Sequence, residues 1–287
     1  MRGNVQMEVE KKFCWVLLVA CAFYSSVFAN ESAKRDSTKA ASLDVNGAGF
    51  NGVASAVRKG RRLQMVPSQN ARAQQYVTTP RFYAAIENVG CLGRPDIKVK
   101  VHPEPTRWRV QWDSALPKDG ELVITFVAAP LLVSEQQRVR AAPDGSLLLR
   151  ACEARTRGEN LRYEPQPYKN TVGFWVEQTD SAVWECHIPE SGWYSVALLQ
   201  GCGKGQGGSK GRIAFIKDGE ECDSTSCVVK ETGHFQNFNW VQSGHVLLEE
   251  GGNYDVIVQP IEIKQKAFGD IRAVSIVRQQ KQLVTEN

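Results

Sequence analysis

From Ile97 onward the chain is a succession of short strand signals, each closed by a turn. Ile97-Lys-Val-Lys-Val101 and Arg107-Trp-Arg-Val-Gln-Trp112 alternate apolar with polar residues, and Glu121-Leu-Val-Ile-Thr-Phe-Val127 is β-branched and aromatic. Pro103, Pro105, Pro117 and Asp119-Gly120 punctuate them. A period of two, broken by Pro, Gly and Asp, allows half-buried strands and excludes long amphipathic helices. Three strands cover one apolar face but close no sandwich, so residues 81–140 read either as a small β-module or as an incomplete one leaning on the next domain.

The rhythm continues past the turn Pro143-Asp144-Gly145. Strand signals fall at 147–149, 182–186, 193–199, 212–216, 227–229, 245–248, 254–258 and 271–277. Short strands at this spacing define an antiparallel sandwich, placed over 141–280. The expected class is therefore all-β.

The N-terminal part is different. Lys11-Lys12 precede the apolar run Phe13–Phe23, and Val27-Phe28-Ala29 offers small residues for cleavage. Residues 1–29 read as a secretory signal peptide, because the run is shorter than the ~20 residues a spanning helix needs. The expected location is secreted or periplasmic, with no membrane span after cleavage. Residues 30–80 are rich in Ala, Ser, Gln, Asn and Gly and carry eight Lys or Arg against three acids, which exceeds the +4 of the whole chain. This segment reads as a disordered basic tether. Its cluster Arg58-Lys-Gly-Arg-Arg62 could contact polyanions; the plainer reading is a solvated linker.

Loss of the leader would leave six cysteines, Cys91, Cys152, Cys186, Cys202, Cys222 and Cys227. In an oxidising compartment an even set predicts disulfides, with Cys222 and Cys227 the nearest neighbours and Cys186 and Cys202 flanking consecutive strands. No Cys-x-x-Cys pair or His spacing suggests zinc.

Motifs for catalysis fail on context. The loop Gly201–Gly211 fits both Gly-x-Gly-x-x-Gly and Gly-x-Ser-x-Gly, but a strand follows it, where either chemistry needs a helix. It reads as a flexible hairpin connection. No pair of carboxylates is singled out by spacing, and the expectation is that the protein is not an enzyme.

The stretch Glu231–His245 sets rings among amides: Phe235, Phe238 and Trp240 beside Gln236, Asn237 and Asn239. Pyranoses offer apolar faces edged by hydroxyls, so an exposed ring with an amide partner suits a saccharide. The competing reading sends alternate rings into the sandwich core.

With these residues in view, the chain from Leu147 to about Arg278 resembles carbohydrate-binding module family six and the galactose-binding-like sandwiches appended to secreted bacterial sulfatases and glycosidases. The matching pieces are Arg150-Ala-Cys-Glu-Ala154, Gly173-Phe-Trp175, Ala182-Val-Trp184, Gly192-Trp-Tyr-Ser-Val196, Gly233–Phe238, Val246-Leu-Leu248 with Gly251 or Gly252, and Gly269–Val274. The resemblance implies a jelly roll with a sugar site in the loops at one end. Phe174 or Trp175 and Phe235 take the stacking positions, joined by Asn237 and Trp240 from the reading above. It also implies a structural calcium, with Glu153 and Asp270 as its carboxylates. The chain departs from the pattern at Asp180-Ser181, where relatives often carry Asp-Trp, and at Gly269, where an Asn commonly lines the cleft. The resulting expectation is a secreted, non-catalytic protein that binds a polysaccharide or glycoconjugate. The alternative is an extracellular scaffold or accessory protein without a sugar site.

Overall fold

The computed structural model of the protein describes residues 40–47 and 49–279, so the leader expected at 1–29 lies outside the described residues. Among those described, strands dominate and no helix is long and apolar enough to cross a membrane.

The N-terminal module is two facing sheets. Strands β1 (Ala41–Leu43), β2 (Val53–Lys59), β3 (Arg62–Pro67), β8 (Leu122–Phe126) and β5 (Ile86–Cys91) pair in the order β1-β2-β3-β8-β5. The other sheet is β4 (Tyr76–Pro80), β7 (Arg107–Trp112) and β6 (Val99–Pro103), in the order β4-β7-β6. A single short helix, α1 (Gln69–Gln74), joins β3 to β4; the Ser68 hydroxyl accepts the Ala71 N–H, and Gln75 in the left-handed region ends it. Alternation puts Leu63 and Met65, Trp108, Val110 and Trp112, and Leu122, Ile124 and Phe126 between the sheets.

This corrects the reading of residues 41–80 as a tether. The three strands downstream could not close a sandwich, and β1–β4 supply the missing wall. The basic cluster is a tight β2–β3 hairpin around Gly60, with Arg58 and Lys59 in one strand and Arg62 in the next. Two of its four cations are already engaged. Arg58 makes a bidentate pair with Glu135 at 2.5 and 2.7 Å and also donates to the Pro130 carbonyl at 2.9 Å. Arg61 pairs with Glu87 at 3.0 Å. Expected polyanion binding through this segment therefore loses two of its charges to the fold, and residues 30–39 lie outside the described residues.

The C-terminal half is the sandwich. One sheet holds β12 (Arg162–Glu164), β13 (Thr171–Gly173), β20 (Asp270–Arg278), β15 (Gly192–Gly201) and β18 (Phe238–Leu248) in that order, and β10 (Leu147–Arg150) also pairs with β20. The facing sheet runs β11 (Arg155–Arg157), β14 (Ser181–Ile188), β19 (Gly252–Glu262), β16 (Lys210–Lys217) and β17 (Glu220–Val228). All these pairs are antiparallel. The linker contributes β9 (Val139–Arg140), which lies parallel to β14.

The halves are welded. Phe82 lies 6.0 Å from Trp108 and 5.7 Å from Phe126, and Trp108 lies 6.5 Å from Tyr163 of the sandwich, ring centre to ring centre. Backbone and side-chain bonds cross beside them: Ile86 N–H to the Pro165 carbonyl at 3.0 Å, and Gln166 Nε2 to the Val101 carbonyl at 3.0 Å. One apolar core runs through both modules.

The expected disulfides are not formed: all six cysteines are free thiols. Cys222 is exposed and Cys227 buried, five residues apart on β17, so they sit on opposite faces of one strand. Cys186 belongs to β14 and Cys202 follows β15 in the facing sheet. Burial pushes the Cys152, Cys186 and Cys227 thiols up to about 12, which keeps them protonated and inert.

Candidate functional site

The ordered sheet β12-β13-β20-β15-β18 turns Val172, Ile271, Leu198 and Gln200 toward the facing sheet and their neighbours outward. At one end of that outward face the register sets Gly173 opposite Arg162, Asp270 opposite Gly201, and Gly201 opposite Phe238. The glycines are required by close approach. A Cβ on Gly173 would lie 2.9 Å from both the Asp270 and Glu164 carboxylates, and one on Gly201 would lie 2.0 Å from the Phe235 carbonyl. Side chains from β12, β20 and β18 are thereby brought together over a floor of two glycines.

Two guanidinium–ring pairs frame this end. Arg162 lies over Phe174 at 3.2 Å, and Arg272 over Phe238 at 3.8 Å. Arg272 is oriented by Lys169, whose carbonyl accepts from Nε at 3.1 Å, and by the Tyr168 carbonyl at 3.1 Å. Burial lowers the pKa of both arginines. Between them sit two buried carboxylates. Glu164 is paired with Lys169, and Asp270 is pushed up to about 8, first by burial and then by the charge of Glu164, against the opposing pull of Lys169 and Arg272.

Each residue singled out from sequence has a definite place. Phe174 is 40% exposed and adopts φ +65°, a conformation rare for a bulky side chain. Trp175 is the correction: it is fully buried against Phe268, centres 5.7 Å apart, and its Nε1 donates to the Val172 carbonyl at 2.8 Å. The left-handed Phe174 reverses the chain so that consecutive rings point opposite ways, one outward and one into the core. Phe235 is half-buried over Gly203, at the same end as Phe174. Asn237 is exposed, but its Nδ2 donates to the Thr232 carbonyl at 2.6 Å, which makes it a brace for its own turn. Trp240 is half-buried on the outward face, opposite Leu199.

Glu153 and Asp270 do not come together. The Glu153 carboxylate accepts the Arg150 N–H at 2.7 Å, closing a short 3-10 turn, and Arg150 is its nearby cation at 3.9 Å. Asp270 faces Glu164 instead. Among the described residues no group of three or more His, Cys, Asp or Glu could hold a metal ion. Glu153 and Asp270 are thus engaged separately, Glu153 by the Arg150 N–H and Asp270 beside Glu164, which is itself paired with Lys169.

The glycine-rich loop is not the flexible hairpin expected. It crosses from β15 in one sheet to β16 in the other, and it is pinned: Gly205 N–H donates to the Glu231 carboxylate at 2.7 Å, and buried Ser209 accepts the Lys264 N–H at 3.1 Å. A buried serine so held is no nucleophile. Arg162, Lys169 and Arg272 are the site residues that sequence reasoning missed; they meet only through pairing of strands far apart in the chain.

No family model matches the chain, and no curated protein matches it in sequence. Solved structures similar to it include a family 35 carbohydrate-binding module from Clostridium thermocellum, at 15% identity over 47% of this chain and 98% of that one, TM-score 0.35. Another is the C-terminal family 6 carbohydrate-binding module of a marine laminarinase from Zobellia galactanivorans, at 17% identity over 46% and 99% of the two chains, TM-score 0.34. An α-L-fucosidase from Vibrio sp. strain EJY3 matches at 12% identity over 79% of this chain, TM-score 0.33, and the match spans 40% of the fucosidase. At these identities and TM-scores nothing about a superfamily or a ligand follows from the likeness.

Proposed function

We propose that the sandwich is a non-catalytic glycan-binding module of an exported protein, and that the ligand lies across the end of the sheet framed by Phe174, Phe235 and Phe238. Phe174 carries the reading. Holding a bulky residue in the left-handed region costs about 1–2 kcal/mol, and exposing its ring forgoes burial as well. The Arg162 guanidinium on its face offsets part of that cost, and a ring held outward beside Arg162 offers a stacking surface with hydrogen-bond donors at its edge. Arg272 on Phe238 supplies a second such pair, which suits saccharides whose hydroxyls, or acidic substituents, reach the guanidinium edges. The leader-like start is consistent with export to where polysaccharides are met.

The test is a glycan array and calorimetric titration with the full chain. Retention of at least one polysaccharide or glycoconjugate is expected, with a loss of about tenfold or more for Phe174→Ala and no change in melting temperature beyond a few degrees. Absence of any retained glycan across plant, algal and bacterial panels would overturn it. The scaffold alternative draws on a different observation: Trp193, Leu247 and Val277 are all exposed on the same outward sheet face, with Trp193 opposite Leu247. It prevails if Trp193→Ser abolishes association with another protein while no glycan binds.

A further inference from the structure

Away from that sheet end, a groove of about 570 Å³ opens where the N-terminal module meets the sandwich. That volume lies within the ~300–1,000 Å³ of small-molecule sites. Its walls include Arg81, Tyr83, Thr106, Ser134, Arg155 and Thr156.

Arg81 is the unusual member. It is only 7% exposed, and its guanidinium lies 4.6 Å from the centre of Tyr83 and 5.1 Å from that of Tyr163. Nη2 donates to the Cys152 carbonyl at 3.3 Å, and Nε is buried with no hydrogen-bond partner. Among the described residues no carboxylate pairs with it. Arg58 and Arg155, by contrast, are each matched by a carboxylate: Arg58 by Glu135, and Arg155 by Glu185 at 2.6 Å. A guanidinium withdrawn from water with two π faces and one carbonyl is undercompensated, and burial pulls its pKa down. The backbone holds it there nonetheless, with Arg81 N–H bonded to the Thr106 carbonyl at 3.3 Å.

We propose that this groove binds a small carboxylate-bearing molecule, its anion seated against the edge of Arg81. The planar fork of a guanidinium matches a carboxylate in two parallel hydrogen bonds. The hydroxyls of Thr106, Ser134 and Thr156 give the rest of the molecule polar partners, which favours a hydroxylated body over an aliphatic one. Arg155, paired with Glu185, lines the same wall. The one acid at the groove, Asp44, is exposed and accepts the Asn46 N–H at 3.0 Å. The site is distinct from the glycan surface above and stands without it.

Calorimetric titration of the full chain with sodium glucuronate, sodium acetate and neutral glucose, at matched ionic strength, tests this. Saturable binding of glucuronate is expected, with glucose at least about tenfold weaker. Acetate distinguishes a bare carboxylate, bound as well as glucuronate, from one recognised together with its hydroxylated ring, bound more weakly; either supports the groove as a carboxylate site. Arg81→Gln should reduce glucuronate binding about tenfold or more. Because a core arginine variant could fail to fold, Val133→Trp fills the groove from an exposed position and should abolish binding while the melting temperature holds. Glucuronate binding that is lost with Phe174→Ala but not with Val133→Trp belongs to the glycan surface and would overturn its assignment to the groove. No glucuronate binding, equal binding of glucose, or binding unaffected by Val133→Trp would overturn the proposal.

Discussion

The N-terminal module and the sandwich use their aromatic residues in opposite ways. In the first, Phe82, Trp108, Trp112 and Phe126 are all buried, Phe82, Trp108 and Phe126 in mutual contact, and of its rings Tyr76 alone is exposed, at 36%. The second buries Trp175, Trp184, Phe215 and Phe268 and still leaves Tyr168, Phe174 and Trp193 exposed. A two-sheet core needs the first set of rings. The surplus in the second is a surface property, and it gathers at the sheet that also carries Arg162 and Arg272. Rings in the smaller module mostly build its core, and those at the sandwich edge stay accessible.

The comparison breaks most easily at the seam. Trp108→Ala should cost about 4 kcal/mol, in the ~3–5 range for a buried large aromatic. Because Trp108 touches Phe82, Phe126 and Tyr163, chemical denaturation should remain a single transition at lower denaturant; two separated transitions would show that the modules are not one cooperative unit. Trp108→Phe should be far milder, since the indole Nε1 is buried without a partner and its loss removes no bond.

Next in size is a pH effect confined to the sandwich. Asp270 rises from 3.8 to about 8 on folding, so the folded state holds its proton more tightly than the unfolded chain does. The stability this contributes is complete below about pH 4 and is lost as pH rises through about 8. Asp270→Asn should therefore raise stability at pH 9 by several kcal/mol at most relative to the parent, and give no such gain at pH 4. Melting curves at both pH values check it; an equal effect at the two would contradict the burial of this carboxyl.

Arg58→Met addresses the smaller module. Removing the guanidinium leaves Glu135 with only the Leu132 N–H, at 2.9 Å, and should cost about 1–2 kcal/mol by denaturant titration. The smallest expected effect is the sharpest. Phe174→Gly relieves the left-handed strain and should stabilise by about 0.5–1 kcal/mol while abolishing glycan retention. Destabilisation instead would mean that the ring is structural, and the contrast between the two modules would fail.

Much of this was legible in the sequence and some was not, for identifiable reasons. Strict alternation marked Arg107–Trp112 to the residue, and β-branched runs marked β8, β14, β15 and β20 within two residues at each end. Strands β2 and β3 were hidden because Arg58–Arg62 reads as a charge run, yet Leu63, Met65 and Pro67 already alternate inward behind it. Strands β11, β12 and β13 have three residues each and no periodicity to detect. At the candidate site, Phe174 and Phe235 lie at the same end of the sheet, but which of the two consecutive rings 174 and 175 faces water depends on a single backbone reversal. The arginine partners are a product of strand order, which no local pattern encodes.

The strip running from Phe82 through Trp108 to Tyr163 also limits how this protein can be rearranged. Cutting the sandwich loose at residue 141 and transplanting it as an independent cassette would strand Tyr163 against solvent and strip the β9 edge from its host sheet. The two modules must be inherited, expressed and recombined as a single piece.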